Sequence, residues 1–266
     1  MRSIVVCVKA VPDPEEINKI KIDPVTKTLT RHDIPLVVNS LDRNALEAAL
    51  VVKENQEAHI TILSMGPPTA GNVVRECLAL GADQGILLSD PAFAGADAFA
   101  TAFTLSKAIE KIEQVDSVFC GRASSDGATE WVGPELATFL GMPVVTMVRN
   151  FDKTAGNSWR VKADIEDGIR VVEVELPAVF TITHEVNTPR TLSFSGIIKS
   201  RKKEITTWGL NDLNVPEDQL GLKGSPTIVS SLKVSEGKRS CEIIQGTQEE
   251  KADILINKLA AAGVLR

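Results

Sequence analysis

No apolar stretch in this 266-residue chain approaches the roughly 20 residues that a membrane-spanning helix needs, so the chain reads as soluble. The first ten residues alternate like a strand and carry two cations, without an apolar core and a small-residue cleavage site. No secretory leader is expected, and the expected location is cytoplasmic. Basic charge is not in excess: the net charge is −6, which removes the attraction to phosphate backbones on which nucleic-acid binding begins. Cysteine is sparse, and Cys7, Cys77, Cys120 and Cys241 are too scattered to form a C-x-x-C zinc or dithiol motif. They read as reduced, buried, small hydrophobic residues. His32, His59 and His184 are equally isolated, which leaves a metal site or a histidine-based triad without visible partners.

Two nucleotide fingerprints are also missing. No G-x-G-x-x-G follows the first strand, and no G-x-x-x-x-G-K-[ST] occurs anywhere. The stretch KAVP at 9–12 stands where adenylating enzymes of this sheet type carry a Ser-Gly-Gly loop, which disfavours ATP pyrophosphatase chemistry. Paired carboxylates and nucleophile–histidine arrangements do not rise above chance, so the chemistry belongs to a bound cofactor.

What is present is a sizeable apolar fraction, 43%, ordered as alternating strands and helices, enough for a substantial core. SIVVCV at 3–8 is a nearly continuous β-branched run, suited to a strand buried on both faces. DPVT at 23–26 reads as a turn. NSLD at 39–42 opens an amphipathic helix through Ala45, Leu46, Ala49, Leu50 and Lys53, with Asp42 or Ser40 as its expected N-cap. The unit repeats with a strand at 59–64, a Gly66 turn, and a helix through Val73, Val74, Cys77 and Leu80 that Gly81 ends. Further strands are expected at 85–88, 115–120, 143–146 and 176–181, and helices at 97–112 and 130–140. An antiparallel hairpin is expected over 158–175, turning near Glu166, Asp167 and Gly168.

This order predicts an α/β, Rossmann-like, doubly wound parallel sheet with an antiparallel hairpin addition. From Glu185 to about 246 no period is sustained, and Pro189, Pro216 and Pro226 interrupt it. The expected organisation is a nucleotide-binding domain over 1–184 and an extended C-terminal arm over 185–266 that lies on another surface. A terminal helix at 247–262, with Ile254, Leu255, Leu259 and Ala262 on one face, closes the arm.

In such a sheet the ligand crevice lies at the carboxyl ends of the strands, where the loops after Val8, Ser64 and Cys120 converge. GRASSDGAT at 121–129 runs into a helix start, a favourable place for phosphate. Ser124, Ser125 and Thr129 supply hydroxyl donors there and Arg122 a charge. The plainer reading is that these residues only turn the chain and cap the helix.

VKADIEDG at 161–168, followed by VVEVELPAVFT at 171–181, closely resembles the signature of electron-transferring flavoprotein beta subunits. The resemblance extends to VCVKAVP at 6–12, NSLD at 39–42, MGP at 65–67, ALGAD at 79–83 and the 121–129 loop. It implies a heterodimer with an alpha subunit, which the C-terminal arm wraps. It also implies an adenine nucleotide held by Cys7, Val8 and Lys9, by Asn39, Ser40, Leu41 and Asp42, and by Met65 and Gly66. The long loop completes the set with Gly121, Arg122, Ala123, Ser124, Ser125, Asp126, Gly127, Ala128, Thr129, Glu130, Trp131 and Val132.

RTLSFSGIIK at 190–199 matches the family's docking loop for a flavin-dependent dehydrogenase, with Phe194 at the position of the apolar anchor. KSRKK at 199–203 reads as a solvated face. Acyl-CoA and lactate dehydrogenases and membrane quinone reductases all use related subunits.

Two branches are implied. Housekeeping members carry structural AMP in the beta subunit, whereas bifurcating members carry there an FAD that exchanges hydride with NAD(H), with ferredoxin or flavodoxin as the low-potential partner. DGAT at 126–129, VGPE at 132–135 and the Gly66 turn resemble the bifurcating pattern. That branch usually has Gln-Ala-Ile before the Asp and Asp-Thr-Ala-Gln after the Gly, where this chain has ASS at 123–125 and ATEW at 128–131. A reading of another class is a nucleotide-binding regulatory module without electron transfer.

Overall fold

The computed structural model describes residues 1–19, 21–22, 29–30, 34–153, 156–230 and 241–265. Met1–Val229 is one compact unit and Ser230–Arg266 a second. The first contains β1 (Arg2–Cys7), β2 (Ala10–Pro12), β3 (Lys21–Ile22), β4 (Leu29–Thr30), β5 (Leu36–Val38), α1 (Ser40–Asn55), β6 (Ala58–Met65), α2 (Gly71–Leu80) and β7 (Gln84–Leu88). It continues with α3 (Ala98–Glu110), β8 (Ser117–Gly121), α4 (Val132–Leu140), β9 (Val144–Lys153), β10 (Ser158–Ile165), β11 (Gly168–Glu175) and β12 (Ala178–Ile182). It ends with α5 (Phe194–Ser200), β13 (Ile205–Trp208) and α6 (Leu210–Leu213).

The main sheet runs β11-β10-β9-β12-β8-β1-β6-β7-β13. It is parallel from β9 to β13, and β10 and β11 add the antiparallel hairpin, with Ile165 paired to Gly168 across the turn. Double winding is visible in single strands. In β1, Ile4 and Val6 enter the core under α1 and α2, while Val5 and Cys7 enter the opposite core under α3 and α4. Both sets must be apolar because alternate side chains point to opposite faces, and both faces are covered. At the hairpin end Phe119, Phe151, Trp159 and Phe180 pack ring against ring, and Trp159 is fully buried.

Several expectations change. The compact unit does not stop at 184 but runs to Val229, because the stretch after β12 is tied to the domain side chain by side chain. Asn44 and Asn187 exchange hydrogen bonds, Arg190 grips Glu47 through two guanidinium nitrogens at 2.8 and 2.9 Å, and β13 extends the sheet beside β7. Non-local polar pairing of this kind leaves no periodic trace, so the stretch reads as irregular.

KSRKK is not a uniformly solvated face either: Lys203 donates to the Leu78 carbonyl in the last turn of α2 and to the Ala82 carbonyl just beyond it. The helix expected from residue 130 begins at Val132, because Glu130 has φ 62°. Cys7, Cys77 and Cys120 are buried, but Cys241 is exposed. The turn expected at 23–26 and His32 lie outside the described residues. His59 is half-buried beside Asp83, and His184 is exposed beside Glu185.

In the second unit α7 (Gln248–Ala261) starts in a capping box, the Thr247 hydroxyl accepting from the Glu250 N–H and the Glu250 carboxylate from the Thr247 N–H. Among the described residues no helix is long and apolar enough to cross a membrane.

Candidate nucleotide site

The chain leaves β1 for β6 and β7 on one side, then returns through α3 to β8 on the other side of β1. The gap between the carboxyl ends of β1 and β8 is therefore the topological switch point, where open α/β sheets bind ligands. The sequence-derived residues of the 7–9 and 121–129 loops stand on its two sides.

They are joined there by the segment before α1. A short ladder sets β2 against β5, pairing Ala10 with Val38, and delivers the Asn39 N–H to the Lys9 carbonyl at 3.0 Å. Asn39 occupies the N-cap position of α1 but makes no side-chain cap. Its amide nitrogen instead donates to the Ala123 carbonyl at 2.9 Å, and its amide oxygen accepts from the Ser125 N–H at 3.1 Å.

Asp42 is not the cap either. Its two carboxylate oxygens accept from the Lys9 N–H at 2.7 Å and the Gly121 N–H at 2.9 Å, so one buried carboxylate bridges the ends of the two switch-point strands. Neither expected cap holds: Ser40 is the first residue of α1 itself, and Asp42, like Asn39, reaches across to non-local backbone.

Glycine at 121 is required by this closure. A Cβ there would overlap Asp42 Oδ1 and lie 2.8 Å from the Leu41 backbone. At Gly133 a Cβ would strike Thr181 and come within 3.1 Å of Cys120 Sγ, so the first turn of α4 rests directly on β8 and β12. The N-terminus of α4 is thereby brought to β8 and β12 with its positive dipole end.

The other residues fall into place around this core. Lys9 Nζ lies 2.6 Å from Asp126 and 3.2 Å from Ser124 Oγ, and Arg122 Nε lies 3.4 Å from Glu130. Ala128, with φ 48°, and Glu130 are both left-handed without being glycine, on either side of Thr129. Gly127 packs near Ser124 and Lys9. Cys7 and Val8 are buried beneath the site, Ser40 is exposed beside it, Leu41 backs Gly121, and Trp131 is 65% exposed at its rim. Met65 and Gly66 stand one strand further along, where the Gly66 N–H donates to the Leu88 carbonyl at 3.0 Å.

Electrostatically the centre is unusual. Burial pushes the Asp42 carboxyl up to about 6, with the N–H bonds from Lys9 and Gly121 holding it from rising further. Burial also pushes the neighbouring Cys120 thiol to about 12 and the Cys7 thiol well above its ordinary value, so both are neutral and unreactive at neutral pH.

A raised carboxyl contributes stability that is complete below the unfolded value of 3.8 and lost as pH rises through about 6. Relative to Asp42→Asn, the wild type is expected to lose about 3 kcal/mol of stability between pH 4 and 7. Denaturant unfolding of both proteins across that range checks it, and a constant difference would refute the assignment.

Phe194, the anchor of the docking-loop resemblance, is 79% exposed. It does not sit on an irregular loop, for it opens α5, capped by the Ser193 hydroxyl accepting from the Gly196 N–H. Arg190, pinned to Glu47 and Glu54, fixes where this segment starts. The Arg190–Glu47 pair is not legible in the sequence, because its partners are 143 residues apart.

The electron transfer flavoprotein domain model matches residues 26–213. Similar proteins include the electron transfer flavoprotein subunit beta of Clostridium acetobutylicum, 44% identical over 97% of this chain and 97% of that protein. The subunit beta of Thermoanaerobacterium thermosaccharolyticum is 44% identical over 99% of this chain and all of that protein. The caffeyl-CoA reductase-Etf complex subunit CarD of Acetobacterium woodii is 44% identical over 96% of this chain and 97% of that protein. With the parallel sheet, the switch-point loops and near-complete matches of this kind, the chain belongs to the electron transfer flavoprotein family, among its beta subunits.

Proposed function

We propose that the chain is the beta subunit of a heterodimeric, cytoplasmic electron-transferring flavoprotein that holds FAD across its strand ends and takes part in NAD(H)-linked electron bifurcation or its reversal. The observation that carries this reading is the Asp42 bridge between Lys9 and Gly121, which draws the strand-end loops of the switch point together beside the start of α4.

The donor set fits a nucleotide. Lys9 and Arg122 bring charge, and Ser124, Ser125 and Thr129 bring hydroxyls for a pyrophosphate, while Cys7 and Asn39 border the adenine side. When bound, FAD supplies the hydride exchange with NAD(H) that no side chain here performs. The chain's own residues bind and orient it, and Trp131 and the loop before α4 border its open side.

The same reading assigns the other partners. Residues 185–266 carry the alpha-subunit contacts, and exposed Phe194 docks on the flavin-dependent dehydrogenase. A dehydrogenase of the acyl-CoA type is favoured by the relative named for caffeyl-CoA reductase. Ferredoxin or flavodoxin receives the low-potential electron.

A second reading, a housekeeping carrier with AMP in this subunit, draws support from Asp126 and Glu130, which place acid in the loop. Anaerobic titration of the purified heterodimer with NADH separates them. Stoichiometric flavin bleaching is expected, and a flavin inert to NADH but reduced by the dehydrogenase would favour the AMP reading.

A further inference from the structure

Both cations of the site are already neutralised, and by the same loop. Lys9 Nζ meets Asp126 at 2.6 Å and Arg122 Nε meets Glu130 at 3.4 Å. The Asp126 side chain is 15% exposed and the Lys9 side chain 46% exposed, so the carboxylate faces the site rather than open solvent. With Asp42 buried beneath, the described residues bring two positive and three negative groups to the site, an unfavourable field for an incoming phosphate.

The loop that delivers the two acids is anchored at one end and strained at the other. Asn39 fixes it at Ala123 and Ser125, whereas Ala128 and Glu130 both adopt left-handed backbone that L side chains rarely take. Resting on the assignment of this site to a phosphate-bearing nucleotide, we propose that Asp126 and Glu130 are internal stand-ins for phosphate, holding Lys9 and Arg122 until a ligand of sufficient charge displaces them.

The exchange is one of hydrogen-bond and ion-pair partners, with no covalent step. Two carboxylates leave two cations and a phosphate or pyrophosphate takes their place, while the segment beyond Ser125 swings on its Asn39 anchor. The consequence is selectivity. A nucleoside without phosphate leaves both ion pairs in place, and among phosphate-bearing ligands a pyrophosphate is better able than a single phosphate to displace the two carboxylates. Asp126 and Glu130 thus act as specificity-determining residues, raising the charge threshold for occupancy rather than contacting the ligand.

The test is calorimetric titration of the full-length chain, stripped of nucleotide, with ADP and separately with adenosine. Asp126→Asn and Glu130→Gln, both isosteric, are each expected to tighten ADP about fivefold, the scale of removing a partly exposed ion-pair competitor, and to leave adenosine unchanged. Lys9→Met combined with Asp126→Asn is expected to abolish the gain at position 126. ADP affinity that is unaltered or weaker in both single variants, while the wild type binds, would overturn the stand-in role and leave the nucleotide site intact. An equal gain for adenosine would overturn it as well, since phosphate charge would then not be the cause. Failure of wild type and variants alike to bind ADP would instead remove the nucleotide assignment on which the proposal rests.

Discussion

Trp159→Ala is expected to lower the unfolding free energy by about 3–5 kcal/mol, the range for deleting a large buried aromatic side chain. Trp159 is fully buried where the hairpin folds back on the parallel sheet. It stacks on Phe180 with ring centroids 5.6 Å apart and meets Phe119 and Phe151 edge-on at 6.2 and 6.0 Å. Three strands besides its own contribute to that cluster, β8, β9 and β12, so the cavity cannot close by moving one element. Trp159→Phe should cost less, because the indole N–H is buried without a partner and its removal relieves a desolvated donor. Urea unfolding of the three proteins checks both statements. A loss under about 1 kcal/mol for the alanine variant would show that the hairpin is not part of the common core.

Gly121→Ala is expected to separate the two sides of the switch point. The added methyl would sit on Asp42 Oδ1 and against the backbone and side chain of Leu41, none of which is the free end of a flexible chain. Overpacking of this kind costs about 1–3 kcal/mol. The relief available is for α1 to move off β8, which breaks the Asp42 bond to the Gly121 N–H and the Asn39 bonds to the 123–125 segment. Nucleotide retention is expected to fall by about tenfold or more, since each displaced positioning group is worth on the order of 1–2 kcal/mol. Nucleotide content after gel filtration, beside a thermal melt, measures both. Unchanged retention in a destabilised protein would place the nucleotide away from β8.

The doubly wound sheet was legible because its strands are buried on both faces. SIVVCV at 3–8 and AVFTI at 178–182 carry that apolar continuity locally, and the hairpin announces itself through Asp167 and Gly168 between alternating arms. The strand-end loops of the site followed from the same order. What was not legible is all non-local: β2 and β5 are three residues each and pair with one another, and Asp42 spends its carboxylate on residues 33 and 79 positions away. The extension of the domain past Glu185 depends likewise on Asn44, Glu47 and Arg75 meeting residues more than a hundred positions downstream. Periodicity reports burial within an element and is silent on such pairs.

The flavin in this subunit is the central claim, and the cofactor content of the heterodimer tests it most directly. The chain would be co-expressed with its alpha subunit, purified and denatured, and the released FAD and AMP quantified per heterodimer. Two FAD and no AMP is the expected result, placing one flavin at the Lys9, Asn39 and Gly121 loops. One FAD with one AMP would contradict it and make this subunit the structural half of a housekeeping electron carrier.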